Sequence, residues 1–171
     1  DGGAGDDILR GGAGDDTLIG GTQSTVDTVT YNGIQNAITV TLLSAASATV
    51  IGNVADVGND NLQGIESIEG SDAGDQFLGY QAGYILNGGA GSDTVNLSAQ
   101  TVGSNNLTID LAQASGSVRD GGGTLVYTLR NIENAVGGSG NDLFYLDSTA
   151  NNIDGGAGTQ DTVDFSKLAA G

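Results

Sequence analysis

The residues of this chain best suited to chemistry are aspartates that follow glycines at a fixed spacing. Residues 2–10 and 11–19 both begin Gly-Gly-Ala-Gly-Asp-Asp and both carry a leucine at the eighth place. Ca²⁺ takes roughly six to eight oxygen ligands and accepts carboxylate and backbone carbonyl oxygens alike. Glycine opens backbone conformations that are closed to other residues, so that carbonyls can turn toward a common point. The spacing therefore predicts calcium sites in glycine-rich turns, with the aspartate at the sixth place supplying the charge.

The same nine-residue pattern, Gly-Gly-x-Gly-x-Asp-x-U-x with U a large apolar residue, recurs along the chain. Its later copies start at Gly70, Gly79, Gly88, Gly137, Leu146 and Gly155. The apolar residues at the eighth place should stack in files inside the fold, and they are Leu9, Leu18, Phe77, Leu86, Val95, Phe144 and Ile153.

These repeats resemble the RTX nonapeptide, the haemolysin-type calcium-binding repeat. The resemblance implies an all-β fold, a right-handed parallel β-roll or β-solenoid with strand insertions between the repeat clusters. Six residues of each repeat would form a turn and three a strand, and two repeats would complete one coil. The resemblance also implies that each calcium ion lies between two turns stacked one coil apart on the same side of the roll.

The family rule assigns the main metal ligands in two pairs. Asp75 should pair with Asp93, eighteen residues later, and Asp142 should pair with Asp161, whose turn is one residue longer. Backbone carbonyls of the glycine-rich turns would complete the sites. The turns concerned are those at Gly3, Gly5, Gly12, Gly14, Gly70, Gly89, Gly91, Gly138, Gly140, Gly156 and Gly158.

Four further aspartates are candidate ligands. Asp7 should face Asp27, although the turn that ends at Asp27 is two residues longer than the others. Asp60 follows half a repeat and is expected to stack on the turn of residues 70–75. Asp16 belongs to the opposite side of the roll, where it could bind calcium only if a neighbour outside this sequence supplied the other half of the site.

At three places the repeat has lost its aspartate. Tyr84 and Asn151 occupy the sixth place in the turns between the paired aspartates. This parallel loss suggests a ladder of ions on one side of the roll only, the alternative being random decay of the repeats. Tyr127 stands where the first module has Asp60, so we expect the second module to bind one ion fewer.

Other acidic residues have structural interpretations. Asp6 and Asp15 lie at the fifth place of the first two repeats, which usually points to solvent. Glu66 and Glu133 each follow an isoleucine in a strand-like phrase. For these two we expect a surface role, or a hydrogen bond that closes the end of a coil, rather than a metal role.

A longer period of 67 residues encloses the nonapeptides, since Ile65 and Glu66 recur as Ile132 and Glu133. It divides the chain into two N-terminal repeats (1–19), a first module (20–87), a second module (88–154) and the start of a third (155–171), all in one solenoid. Residues 37–42 and 106–111 alternate apolar with polar residues, as half-buried strands do. Segments 43–57 and 112–124 should form extended side strands and loops.

The composition limits the chemistry. Twenty-one acidic residues against four basic ones give a net charge of −17, which disfavours nucleic acid and anionic membranes as partners. There is no cysteine and no histidine, which excludes disulfides, thiolate or imidazole metal sites and histidine acid–base catalysis. No apolar run approaches the roughly 18 residues of a membrane span, so we expect no membrane insertion.

The sequence favours an extracellular calcium-binding structural module of a surface-layer, adhesin or filament protein, exported by type I secretion and not an enzyme. Neighbouring copies or other surface-protein domains are the candidate partners besides calcium. The alternative is the secretion and folding module of an RTX hydrolase or toxin whose active part lies elsewhere. An enzyme that cleaves polysaccharide through paired carboxylates, and a surface of Thr and Asn that contacts sugar or ice, are lesser alternatives.

Overall fold

The computed structural model describes residues 1–22, 26–100, 106–113 and 115–168, and all regular structure in these ranges is β-strand. Its strands are β1 (Gly3–Ala4), β2 (Ile8–Leu9), β3 (Thr17–Ile19), β4 (Gly21–Thr22), β5 (Thr28–Thr30), β6 (Thr39–Ser44), β7 (Ser47–Ile51), β8 (Asn59–Gln63), β9 (Ser67–Glu69), β10 (Gln76–Leu78), β11 (Tyr84–Asn87), β12 (Thr94–Asn96), β13 (Thr108–Asp110), β14 (Gly116–Arg119), β15 (Leu125–Arg130), β16 (Asn134–Val136), β17 (Leu143–Tyr145), β18 (Asn152–Asp154) and β19 (Thr162–Asp164).

The strands of the repeats alternate between two sheets as the chain advances. One sheet has nine strands in the order β19-β17-β13-β14-β15-β11-β9-β5-β2, and the other has eight in the order β18-β16-β12-β10-β6-β7-β8-β3. We call them the nine-strand sheet and the eight-strand sheet. Strands β1 and β4 form a separate pair. The prediction of an all-β fold is confirmed.

Strands of successive coils pair in parallel at the expected separation. Gln76 of β10 pairs with Thr94 of β12, eighteen residues later. The separation grows to twenty where Ile8 of β2 pairs with Thr28 of β5, because the turn before Asp27 carries its two extra residues. Two nonapeptides therefore lead from one strand to its parallel partner, the separation that the resemblance to the RTX repeat implies for one coil.

Each module contains a three-stranded antiparallel insertion. In the first module β6, β7 and β8 form it, and in the second β13, β14 and β15 do so. Its outer strands pair in parallel with repeat strands, β6 with β10 and β8 with β3 in the first module. The side strands expected within residues 43–57 and 112–124 are β7 and β14, and residue 114 lies outside the described residues.

The two insertions belong to different sheets. The first is part of the eight-strand sheet and the second is part of the nine-strand sheet. If an insertion counts as one passage through a sheet, five passages lead from β9 to β16, its equivalent one module later. An odd number of passages exchanges the sheets, so that equivalent strands of the two modules lie on opposite sheets.

The core consists of files of apolar side chains that run from coil to coil. Phe77, Val95, Ala135 and Ile153 occupy equivalent places in four successive paired strands of the eight-strand sheet. The first three are at most 1% exposed, and Ile153 is partly buried at the C-terminal end of the file. The predicted stacking of eighth-place residues is confirmed in this file. The register of the stacked strands also sets which turns lie next to each other.

Candidate metal sites at the stacked turns

The aspartates at the sixth place are joined in columns by their own hydrogen bonds. The backbone N–H of Asp75 donates to Oδ1 of Asp93 (2.7 Å), and the N–H of Asp142 donates to Oδ1 of Asp161 (2.9 Å). Both stacks predicted from the eighteen-residue rule are therefore present. In each pair, the carboxylate of the later aspartate accepts a charge-assisted hydrogen bond from a backbone N–H of the preceding coil, and this bond holds it at that turn.

The same contact recurs at the N-terminal end and ends on a glutamate in each module. The N–H of Asp7 donates to Oδ1 of Asp27 (2.8 Å), which confirms that these two turns stack. The N–H of Asp27 then donates to Oε2 of Glu66 (2.9 Å), and that of Asp93 donates to Oε2 of Glu133 (2.8 Å). The glutamates thus provide the hydrogen bond that was one of their two expected roles.

Asp16 and Asp60 form a pair that the sequence analysis missed. The backbone N–H of Asp16 donates to Oδ1 of Asp60 (3.0 Å), and the hydroxyl of Tyr31 donates to Oδ2 of Asp60 (2.8 Å). The expectations that Asp60 stacks on residues 70–75 and that Asp16 needs a partner from outside the sequence were wrong. The cause is the first insertion, which returns β8 to the side of β3.

The hypothesis of a ladder on one side of the fold was also wrong. Asp75 and Asp93 precede strands of the eight-strand sheet, whereas Asp142 and Asp161 precede strands of the nine-strand sheet. The two pairs therefore lie at turns on opposite sides. The odd number of passages between equivalent strands produces this exchange.

The positions without aspartate are closed by protein contacts. Tyr84 is buried and its hydroxyl donates to the carbonyl of Ser44 (3.0 Å). Asn151 donates from Nδ2 to the carbonyl of Glu133 (2.9 Å). Tyr127, the counterpart of Asp60, is fully buried. Burial raises the pKa of Tyr84 to about 12, so this phenol stays neutral.

The fifth-place acids are exposed, as expected, but they also hold the neighbouring turn. Oδ1 of Asp6 accepts the N–H of Val26 (3.2 Å), and Oδ1 of Asp15 accepts the N–H of Asn59 (2.9 Å). A carboxylate that accepts a backbone donor from the next coil aligns the two turns. The repeat pattern alone contains no signal for this contact.

Several carboxylate oxygens are buried without a hydrogen-bond partner. At the sixth place they are Oδ2 of Asp7, Asp16 and Asp93, and at other places they are Oδ1 of Asp56 and Oδ2 of Asp147. Asp93 is fully buried. An ionised oxygen withdrawn from water and left unpaired is costly, and a bound cation removes that cost.

The electrostatics at Asp93 agree with this requirement. Burial raises the pKa of Asp93 to about 7, against the hydrogen bond from the N–H of Asp75. The negative charges of Asp75 and Glu133 add to the rise. Burial also raises the pKa of Asp75 itself. Without a cation, this column of carboxylates is short of positive charge.

In the repeats that keep their aspartate, the first glycine makes room for the carboxylate. A Cβ on Gly2 would lie 2.6 Å from Oδ2 of Asp7. A Cβ on Gly88 would collide with Oδ2 of Asp93 and with the carbonyl oxygen of Asn131. Carboxylate and carbonyl oxygens therefore converge at these glycines. Such hard oxygen donors are those that Ca²⁺ prefers.

In the ranges that the structure describes, no three acidic side chains gather closely enough to hold a metal ion together. A cation at the stacked turns would therefore be bound by one or two carboxylates and otherwise by backbone carbonyls. This is a donor set that Ca²⁺ accepts and that matches the turn composition.

Fold and turns together define a repetitive all-β protein with carboxylate columns at its glycine-rich turns. The profile of the RTX calcium-binding nonapeptide repeat matches four copies, at residues 1–25, 85–100 and 130–159. The chain thus carries RTX calcium-binding repeats, and the resemblance seen in the sequence is confirmed. A comparison with curated proteins gave no match.

These repeats bind calcium and are typical of secreted proteins. Among the described residues, no helix is of the length and apolar character needed to span a membrane. The columns extend beyond the matched copies, because five of their carboxylates lie outside the matched residues, namely those of Asp27, Asp60, Glu66, Asp75 and Asp161.

Proposed function

We propose that this chain is an extracellular structural module that folds and stiffens when calcium binds to its stacked turns. The observation that carries the proposal is the buried, unpartnered Oδ2 of Asp93 beside a neighbouring coil. Its column neighbours Asp75 and Glu133 supply further negative charge. We also propose that the two sheets form the right-handed β-roll implied by the repeats.

Calcium would offset the charge repulsion and the loss of conformational freedom that oppose folding. The net charge of −17 opposes a compact state, and the many glycines lose much conformational freedom on folding. Ordering the backbone costs about 1 to 2 kcal/mol per residue, while each coil buries only a few apolar side chains. Cations that bind only the folded turns would shift this balance toward folding.

We favour a role as a rigid spacer of a surface-layer, adhesin or filament protein, delivered by type I secretion. The 67-residue modules and their sheet insertions support a chain that extends by repetition. Carboxylates at the sixth place are used in the columns, which favours metal binding over catalysis. Extracellular calcium modules work near 10⁻⁴ to 10⁻³ M, about the range in which we expect these sites to fill.

A calcium titration followed by far-ultraviolet circular dichroism tests the proposal. We expect little β-structure in excess EGTA and a cooperative gain at millimolar calcium. Magnesium should be a poor substitute, because it demands octahedral geometry and releases water reluctantly. A chain that is fully β-structured in EGTA and unchanged by calcium would refute calcium-driven folding.

A further inference from the structure

Five of the glycine-rich turns with a sixth-place aspartate adopt one of two backbone forms, and the turn of residues 155–161 is mixed, with positive φ at Gly156 but not at Gly158. In one form, which we call open, the second and fourth residues both have positive φ. The open turns are those with Gly3 and Gly5, Gly12 and Gly14, and Gly89 and Gly91. In the other form, which we call closed, neither residue does. The closed turns are residues 70–75 and 137–142, which occupy equivalent places in the two modules.

In the first closed turn, protein donors take both oxygens of the aspartate. Oδ2 of Asp75 accepts the N–H of Ser71 (2.6 Å). Oδ1 accepts the Ser71 hydroxyl (2.7 Å) and the N–H of Ile38 (2.8 Å). Asp75 is 1% exposed and Ser71 is fully buried. The carboxylate therefore has three donors before any cation is considered.

The second closed turn repeats this arrangement with different residues. Oδ2 of Asp142 accepts the N–H of Gly138 (2.7 Å), and Oδ1 accepts the N–H of Leu107 (2.7 Å). By contrast, Oδ2 is buried and unpartnered in all three open turns, at Asp7, Asp16 and Asp93. The backbone form and the state of Oδ2 thus vary together in five turns.

The insertions explain why the closed form is adopted. Ile38 and Leu107 immediately precede β6 and β13, so each closed turn has the entry to an insertion on the side of its preceding coil, whereas its following coil is another glycine-rich turn. The entry segment also contacts the closed turn: the N–H of Asp72 donates to the carbonyl of Ile34 (2.7 Å). Gly138 could adopt positive φ but does not, so the packing and not the residue type selects the closed form.

We propose that Asp75 and Asp142 are turn locks and that calcium is held at the open turns, through Asp7, Asp16 and Asp93. This inference rests on the proposed calcium-binding function, but it removes two of the ligands expected from the repeat. In a lock, backbone N–H groups satisfy the carboxylate that a cation would otherwise neutralise. The turn that follows the entry to each insertion therefore has its carboxylate bound by N–H groups of the protein and not by a cation.

Asp75→Asn and Asp93→Asn form a matched pair, one coil apart in the same column. In the full chain, the number of bound ions can be read from calorimetry and from the slope of unfolding free energy against the logarithm of calcium concentration. Asp93→Asn should lose one ion and reduce the slope accordingly. Asp75→Asn should keep both unchanged, while it lowers the melting temperature by the same amount at every saturating calcium concentration.

Loss of an ion in Asp75→Asn, with the unmodified chain binding calcium normally, would overturn the inference and leave the proposed function standing. If the unmodified chain binds no calcium, the proposed function fails first. Should Asp75→Asn not fold, anomalous scattering from crystals of the unmodified chain grown with terbium decides the matter. We expect no ion bonded to Asp75 or Asp142, and an ion bonded to either of them would contradict the lock.

Discussion

The turns at residues 70–75 and 88–93 lie one coil apart in the same column. Each has an aspartate at the sixth place, but the two carboxylates have different hydrogen-bond partners. Asp75 is locked by the N–H of Ser71, whereas Oδ2 of Asp93 is buried with no partner. The nonapeptide places a carboxylate at the sixth position in both. What differs is the preceding coil, which for Asp75 is the entry to an insertion and for Asp93 is another glycine-rich turn. The neighbour, and not the repeat itself, decides whether an oxygen is left for calcium.

The largest expected effect comes from filling the space beside the open carboxylate. A Cβ in Gly88→Ala would collide with Oδ2 of Asp93 and with the backbone carbonyl of Asn131, which cannot move freely. We expect a loss of about 3 kcal/mol or more in unfolding free energy at saturating calcium, measured by denaturant titration.

Gly122→Ala is the matched control for that substitution. The nearest atom to its Cβ would be Oδ1 of Asp120 at 3.3 Å, and Gly122 does not have positive φ. We expect a change within about 0.5 kcal/mol. Equal losses of unfolding free energy in the two variants would show that the loss in Gly88→Ala does not come from the collision with the Asp93 carboxylate.

Removing the open carboxylate should cost less than filling its space. At a calcium concentration 100-fold above the dissociation constant, one lost ion lowers the unfolding free energy by about 2.7 kcal/mol. We expect this loss for Asp93→Asn, and we expect it to shrink as calcium is lowered. A loss that is independent of calcium would place Asp93 with the locks and erase the distinction between the two turns.

Protons and calcium should compete for Asp93 in the open turn, and we expect this competition to have a smaller effect than the two substitutions above. Burial raises the pKa of folded Asp93 to about 7, while the unfolded chain keeps the ordinary value near 4. Between these values the calcium-free folded state binds more protons than the unfolded state, so its stability falls as pH rises. Calcium needs the deprotonated form, which Asp75 and Glu133 disfavour by their charge.

We therefore expect the calcium midpoint to rise about tenfold when the pH is lowered from about 8 to about 6, as measured by calorimetry. In Asp93→Asn this rise should be clearly smaller. An unchanged pH dependence in that variant would assign the competing proton to another carboxylate.

The smallest effect concerns the lock. Ser71→Ala removes the buried hydroxyl that donates to Oδ1 of Asp75 but keeps the backbone N–H that donates to Oδ2. We expect a loss of about 1 kcal/mol in unfolding free energy at every saturating calcium concentration. A weaker calcium affinity in this variant would instead indicate that the closed turn belongs to an ion site.

Much of this arrangement follows from the sequence, because the repeat length sets the coil. The stacks of Asp75 on Asp93 and of Asp142 on Asp161, and the apolar files beneath them, all follow from an eighteen- or nineteen-residue coil. Glu66 and Glu133 make the hydrogen bond that was one of their two expected roles. The stacks of Asp75 on Asp93 and of Asp142 on Asp161 are local consequences of turn and strand lengths.

Two arrangements that the sequence did not reveal depend on the insertions. Asp16 meets Asp60 from 44 residues away because β8 returns beside β3. The two predicted ligand pairs fall on opposite sides because an insertion of three strands counts as a single passage. Neither result can be read from a repeat period, since both depend on how many strands an insertion contains and which partners they choose.

Backbone amide hydrogen exchange of the unmodified chain, with saturating calcium and with excess EGTA, tests the central claim most directly. The account predicts strong protection of the paired strands β10 and β12 in calcium and its loss in EGTA, because the columns between their turns then lack a cation. Protection of these amides that is equally strong in EGTA would contradict it.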